Sequence, residues 1–135
     1  MHKIDSDQIS PKQMAPVYGR ICSIEIPAAN PAQSAEFYQK VFGWTLHPVT
    51  EDRIRFEDSS QALSGAFVQR RTPAETPGIL LYIQVESVAK AANAVMAAGG
   101  DIVQRIGVDA PEITARFRDP AGNVIGLYQE RKPSL

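Results

Sequence analysis

The sequence holds one cysteine and two histidines in 135 residues, and this scarcity removes several kinds of chemistry at once. Cys22 has no second thiol to pair with, so neither an intrachain disulfide framework nor a thiol-rich metal site can be built. His2 and His47 support no Ser-His-Asp or Cys-His nucleophile in the places where they stand. No apolar run approaches a membrane span, and no signal-peptide core precedes the first strand. Charge of one sign is missing too: 14 Lys and Arg stand against 15 Asp and Glu, a formal net charge of −1. Without a basic footprint, neither nucleic acid nor a membrane surface is expected as a partner. A soluble, cytoplasmic protein is the default expectation.

What is present is a clear helix between strands. Asn30 is a good N-cap, Pro31 falls at the first helical position, and Gln33 stands three residues past the cap. Ala35, Tyr38, Val41 and Phe42 form an apolar stripe, and Gly43 can take the left-handed conformation that ends the helix. Before it, residues 20–26 alternate, with Cys22, Ile24 and Ile26 on one face and Ile21, Ser23 and Glu25 on the other. On this reading Cys22 is a small hydrophobe buried in a strand. Three further strands are expected at 44–49, 53–57 and 63–69.

A linker at 71–78, rich in proline and polar residues, then resets the pattern. Residues 79–85 read as an apolar strand, Ser87 caps a helix with the stripe Val88, Ala91, Ala92 and Val95, and Gly99-Gly100 ends it. Strands follow at 101–106, 112–119 and 124–129, the last two joined by the turn Asp119-Pro120-Ala121-Gly122-Asn123. These glycines serve turns and not phosphate binding, since Gly99-Gly100 follows a helix instead of opening one. The order β-α-β-β-β therefore occurs twice. One domain is expected at 19–130, made of modules 19–70 and 78–130, with an arm at 1–18 and a short tail at 131–135. The fold class is α+β: two tandem βαβββ modules forming a curled mixed sheet around a cleft, since one four-stranded sheet with one helix cannot close a core alone.

The stretches Glu25-Ile26-Pro27, Phe37-Tyr38, Val41-Phe42-Gly43-Trp44, Val85 with Ala98-Gly99-Gly100, and Phe117-Arg118-Asp119-Pro120-Ala121-Gly122-Asn123 resemble the vicinal oxygen chelate superfamily. That superfamily includes glyoxalase I, bleomycin resistance proteins, ring-cleaving dioxygenases and methylmalonyl-CoA epimerase. The resemblance covers about residues 19 to 130. Periodicity by itself leads only to a repeated α+β domain. In the metal-dependent members His, Glu or Gln ligands stand on the first and last strand of each module, and the equivalent positions here are Ser23, Gly65, Tyr82 and Gly126. None is a usual metal ligand, and Gln61 and Ser64, beside the second position, are poor ones. No metal and no other cofactor is expected.

Taking those positions as inward-facing, the period-2 rule sends Ser23, Glu25, Leu63, Gly65, Phe67, Tyr82, Gln84, Gly126 and Tyr128 into the cleft. Arg116 and Arg118, from the seventh strand, and Arg53 or Arg55, from the third, can point the same way. The candidate ligand-binding residues are thus Ser23, Glu25, Phe67, Tyr82, Gln84, Arg116 and Tyr128. Glu25 is the candidate catalytic base, with a salt bridge to Arg116 or Arg118 as its competing role. Tyr82 and Tyr128 can bind a ligand oxygen or stack on a ring, or simply fill the cleft. The resemblance implies a small-molecule-binding protein that works as a homodimer, with subunit pairing to cover sheet edges at the first and fifth strands. Two alternatives stay open: a lyase, isomerase or dioxygenase relative using Glu25 with Tyr82 or an arginine, and an interaction module without a ligand. A cleft above about 300 Å³ favours a ligand over the last reading.

Overall fold

The computed structural model describes residues 18–132. The expected arm and tail lie largely outside this range, as does His2. The elements run β1 (Ser23–Pro27), α1 (Pro31–Phe42), β2 (Thr45–Thr50), β3 (Arg53–Glu57), β4 (Ser64–Val68), β5 (Tyr82–Gln84), α2 (Val88–Ala97), β6 (Asp101–Gln104), β7 (Ile113–Arg118) and β8 (Val124–Gln129). The class is α+β, and each half is βαβββ.

Local chemistry sets both helix boundaries. The Asn30 side chain accepts a hydrogen bond from the Gln33 amide at 3.2 Å, and Gly43, at φ 74°, donates its N–H to the Gln39 carbonyl. Ser87 caps α2 the same way, accepting from the Lys90 amide at 3.1 Å. Each such cap is worth about 1 kcal/mol against alanine. Neither α1 nor α2 is long and apolar enough to cross a membrane.

The strands form two separate four-stranded sheets, ordered β1-β4-β3-β2 and β5-β8-β7-β6. In each, the first strand pairs in parallel with the last and the other pairings are antiparallel. The fifth strand is shorter than the sequence implies, because its parallel ladder on β8 runs only over Tyr82↔Gly126 to Gln84↔Tyr128. Cys22 corrects another expectation: it is exposed and precedes the strand. The reason is pairing, since β4 begins at Ser64 opposite Ser23 and offers Cys22 no partner.

The core sits between the sheets, with α1 in its middle. On one side Tyr38 stacks on Trp44 and Phe67, with ring centroids 4.6 and 5.3 Å apart. On the other, Phe37 and Phe42 each lie 5.9 Å from Phe117 of β7. Tyr38, Phe56, Phe67, Phe117 and Leu127 are almost fully buried. Burying side chains of this size contributes roughly 1.5–3 kcal/mol each, and paired rings add about 0.5–1.5 kcal/mol. One helix therefore serves both modules, and the helix-bearing faces of the two sheets turn toward each other.

Candidate functional site

Register decides which side chains can meet. Residues paired across strands point to the same face, so Ser23, Glu25, Arg53, Arg55, Ser64, Ala66 and Val68 share the face of the first sheet turned away from α1. Ile24, Ile26, Ile54, Phe56, Gly65 and Phe67 share the face turned to α1. This overturns the placement of Phe67 and Gly65 in one cleft with Ser23 and Glu25. Phe67 is fully buried against Tyr38, and at Gly65 a β-carbon would lie 2.0 Å from the Ile24 carbonyl oxygen and 2.6 Å from the Phe56 ring. The assumed phase of β4 is off by one residue, which reverses every side chain on it. In the second sheet Tyr82, Gln84, Gly126, Tyr128, Arg116 and Arg118 do share one face, opposite the core residues Phe117, Ile125 and Leu127. The Tyr82 ring lies against Gly126, where a β-carbon would come within 2.5 Å of it.

Two concavities flank β1. The first, a cleft of about 560 Å³ between the modules, has walls from Ile24, Ile26, Val41, Phe42, Trp44, Phe56 and Leu63 on one side. Leu81, Tyr82, Ile83, Val85 and Ile125 form the other side, and Asp58, Ser59, Ser60, Gln84 and Glu86 add polar groups. Several of these apolar walls, among them Ile24, Phe42, Leu63 and Ile83, are only half-buried. Aromatic walls with a few polar groups are the usual makeup of a small-molecule pocket. Of the expected ligand-binding residues, Tyr82 and Gln84 line this cleft.

The second concavity is a groove of about 760 Å³ bounded by β1, the segment 70–81 and the start of β8. It takes Ser23 and Glu25. Glu25 does not pair with Arg116 or Arg118; its carboxylate meets Arg71 at 2.8 Å, Arg53 at 3.5 Å, and Arg70. The hydrogen bond from Arg71 holds its carboxyl below the ordinary glutamate value, against an opposing effect of desolvation and with help from the charges of Arg70 and Arg71 and a bond from Arg53. Lone pairs occupied by guanidinium donors and a lowered pKa make Glu25 a poor general base and a good internal counter-ion. Arg116 and Tyr128 line neither concavity. The Nε of Arg116 is buried without a hydrogen-bond partner.

The two modules are pinned together beside the groove. Asp119 accepts from the Ala121 and Asn123 amides, from Asn123 Nδ2 at 2.9 Å and from the Tyr38 hydroxyl at 2.9 Å. Asn123 Nδ2 also donates to the Pro27 carbonyl at 2.7 Å. Burial raises the Asp119 pKa despite those donors, and burial together with the Asp119 charge raises that of Tyr38 well above its ordinary 10.0. The turn that joins β7 to β8 thereby holds α1 and the end of β1.

Arg70 and Arg71 were not among the residues that the sequence pattern singled out. The signal for Arg70 was available in the strand phase, because Ala66 pairs with Glu25 and positions 68 and 70 continue its face. Tyr38 reads from sequence as a core ring, and nothing local reveals that its hydroxyl reaches Asp119, 81 residues away.

A metal of the glyoxalase type does not fit the donors present. Ser23, Tyr82 and Gly126 hold three of the implied ligand positions, and Gly65 faces the core. His47 sits on β2 and is hydrogen-bonded to Glu57 at 2.9 Å. Among the described residues no three His, Cys, Asp or Glu side chains converge as a metal site would require.

The fold is similar to that of several solved structures. A hypothetical protein from S. aureus superposes with a TM-score of 0.69 at 16% identity, covering 85% of this chain and 96% of that one. A glyoxalase/bleomycin resistance protein/dioxygenase family enzyme from Burkholderia phytofirmans PsJN gives 0.68 at 17% identity, covering 79% and 95%. A genomically encoded fosfomycin resistance protein from Listeria monocytogenes gives 0.67 at 14% identity, covering 89% and 97%. No curated protein sequence matches the chain. The model of the Glyoxalase/Bleomycin resistance protein/Dioxygenase superfamily matches residues 20–127, most of the chain and both modules in order, and the protein therefore belongs to that superfamily.

Proposed function

We propose that the protein binds a small, largely apolar molecule without a metal, as a cytoplasmic homodimer. The observation that carries the reading is the inter-module cleft: about 560 Å³ with aromatic and aliphatic walls, well above the roughly 300 Å³ at which small-molecule pockets begin. Filled side chains at this place would have favoured an interaction module instead. The donor set supports the metal-free part of the reading, and the arginine-bound state of Glu25 weighs against its use as a catalytic base. Pairing of two copies is supported by the edges of β1 and β5, which pair with no further strand among the described residues, since open edges invite a partner. A free, exposed Cys22 suits a reducing compartment.

The experiment is a thermal-melt screen of aromatic and aliphatic small molecules on the wild type and on Leu63→Trp, which puts an indole into the cleft. A native-state ligand at 100 times its Kd stabilises by about 2.7 kcal/mol. Hits should raise the melting temperature of the wild type and leave Leu63→Trp unmoved, while Zn²⁺, Ni²⁺, Mn²⁺ and Fe²⁺ give no specific shift. Equal shifts in both proteins would place the ligand elsewhere, and a stoichiometric metal shift would return the metalloenzyme reading. Sedimentation at micromolar concentration tests the dimer.

A further inference from the structure

The groove on the other side of β1 differs in chemistry from the apolar cleft. Arg53, Arg70 and Arg71 converge on the single carboxylate of Glu25, and among the described residues Glu25 is the one acidic member of the groove's walls. Of the three, Arg70 and Arg71 line the groove, and these two guanidiniums against one carboxylate leave one positive charge on its wall. Each guanidinium carries five N–H donors, and here each gives one to Glu25. The side chains of Arg70 and Arg71 are 66% and 60% exposed, whereas that of Glu25 is 23% exposed. The carboxylate is thus held inside, and unspent donors face the open groove. Ser23 and Thr72 add hydroxyls, and Ile79 an apolar wall.

Surface ion pairs are common and usually weak, but this cluster is unbalanced and borders a concavity of about 760 Å³. Planar guanidinium forks match the two-oxygen edge of a carboxylate or phosphate. We propose that the groove is a second binding site, which takes the oxyanion of a small anionic molecule, carboxylate or phosphate, on Arg70 and Arg71. Glu25 is then an internal counter-ion that organises the arginines and competes with the ligand's anionic group. The site goes beyond the apolar cleft and does not depend on it.

The test uses phenyl phosphate, benzoate and the neutral benzamide as probes in calorimetric titrations of the purified full chain. Phenyl phosphate, benzoate or both should bind, with affinity falling as salt rises, while benzamide binds at least tenfold more weakly. A response to both anions assigns a general oxyanion site, and a response to one alone identifies its source as phosphate or carboxylate. Arg71→Gln and Arg70→Gln should each weaken anion binding about tenfold, and Glu25→Gln should strengthen it several-fold by removing the competitor. A purely structural ion-pair network predicts no gain for Glu25→Gln. Leu63→Trp should leave anion binding unchanged, which separates this site from the cleft. Benzamide binding as tightly as the anions, no binding by either anion, or an unchanged or weaker response in a folded Glu25→Gln variant would overturn the proposal.

Discussion

The Tyr38→Phe substitution isolates the bond that pins the two modules. The ring remains, so its stacking on Trp44 and Phe67 is kept and no cavity opens. What disappears is one of four hydrogen bonds to the Asp119 carboxylate, made at 2.9 Å where Tyr38 is fully buried and Asp119 only 3% exposed. Losing a buried hydrogen bond to a charged group costs roughly 1.5–3 kcal/mol. For a chain of this size each kcal/mol shifts the melting temperature by about 3–5 °C, so a drop of about 5–15 °C is expected at pH 7. The pH dependence carries the finer test. Asp119 has a raised pKa, chiefly through burial, and the Tyr38 donor is one of the groups that hold it down. Removing the donor raises it further, so the penalty is largest where Asp119 is ionised and shrinks as pH falls through its folded-state pKa. At the alkaline end the sign follows Tyr38 itself. Its folded-state pKa lies well above 10.0, so the stability it contributes is complete below that value and is lost as pH rises through the folded one. The phenylalanine variant should lack this part of the alkaline loss. Urea melts from pH 4 to 11 on both proteins measure the difference directly. A wild type and variant that agree within about 0.5 kcal/mol at pH 7, or that keep a constant gap across the range, would refute the argument.

Four other outcomes follow from packing, capping and pairing. Gly65→Ala forces a β-carbon to 2.0 Å from a backbone carbonyl and should prevent folding or cost more than about 3 kcal/mol. Gly126→Ala meets only the half-exposed Tyr82 ring, which can swing away, so roughly 1 kcal/mol or less is expected; parallel denaturant melts compare the two. Ser87→Ala removes the acceptor for the Lys90 amide and should cost about 1 kcal/mol, read in the same melts. Glu25, with its lowered pKa, should lend stability above the ordinary glutamate value and lose it as pH falls through the folded one, so Glu25→Gln should flatten the acid limb of the stability profile.

The elements themselves were legible in the sequence, because their signals are local. Asn30, Pro31 and Gly43 mark the ends of α1, and Ser87 the start of α2, through hydrogen bonds that span at most four residues. Strands β3 and β8 fall on the residues that alternation and turn chemistry select, and the repeated order, together with the stretches shared with the superfamily, carries through to the fold. Tertiary pairing decided the rest. The phase of β4 depends on which residue meets Glu25, and a difference of one residue moved Phe67 from the expected cleft into the core. Cys22 was left outside by the length of its partner strand. Glu25 took arginines from β3 and from the segment after β4, instead of those on β7, because the two outward faces belong to separate sheets with α1 between their backs. A period of two reports that side chains alternate, but it cannot report which face a neighbouring strand or helix will cover; only the long-range contacts of the folded chain fix that choice.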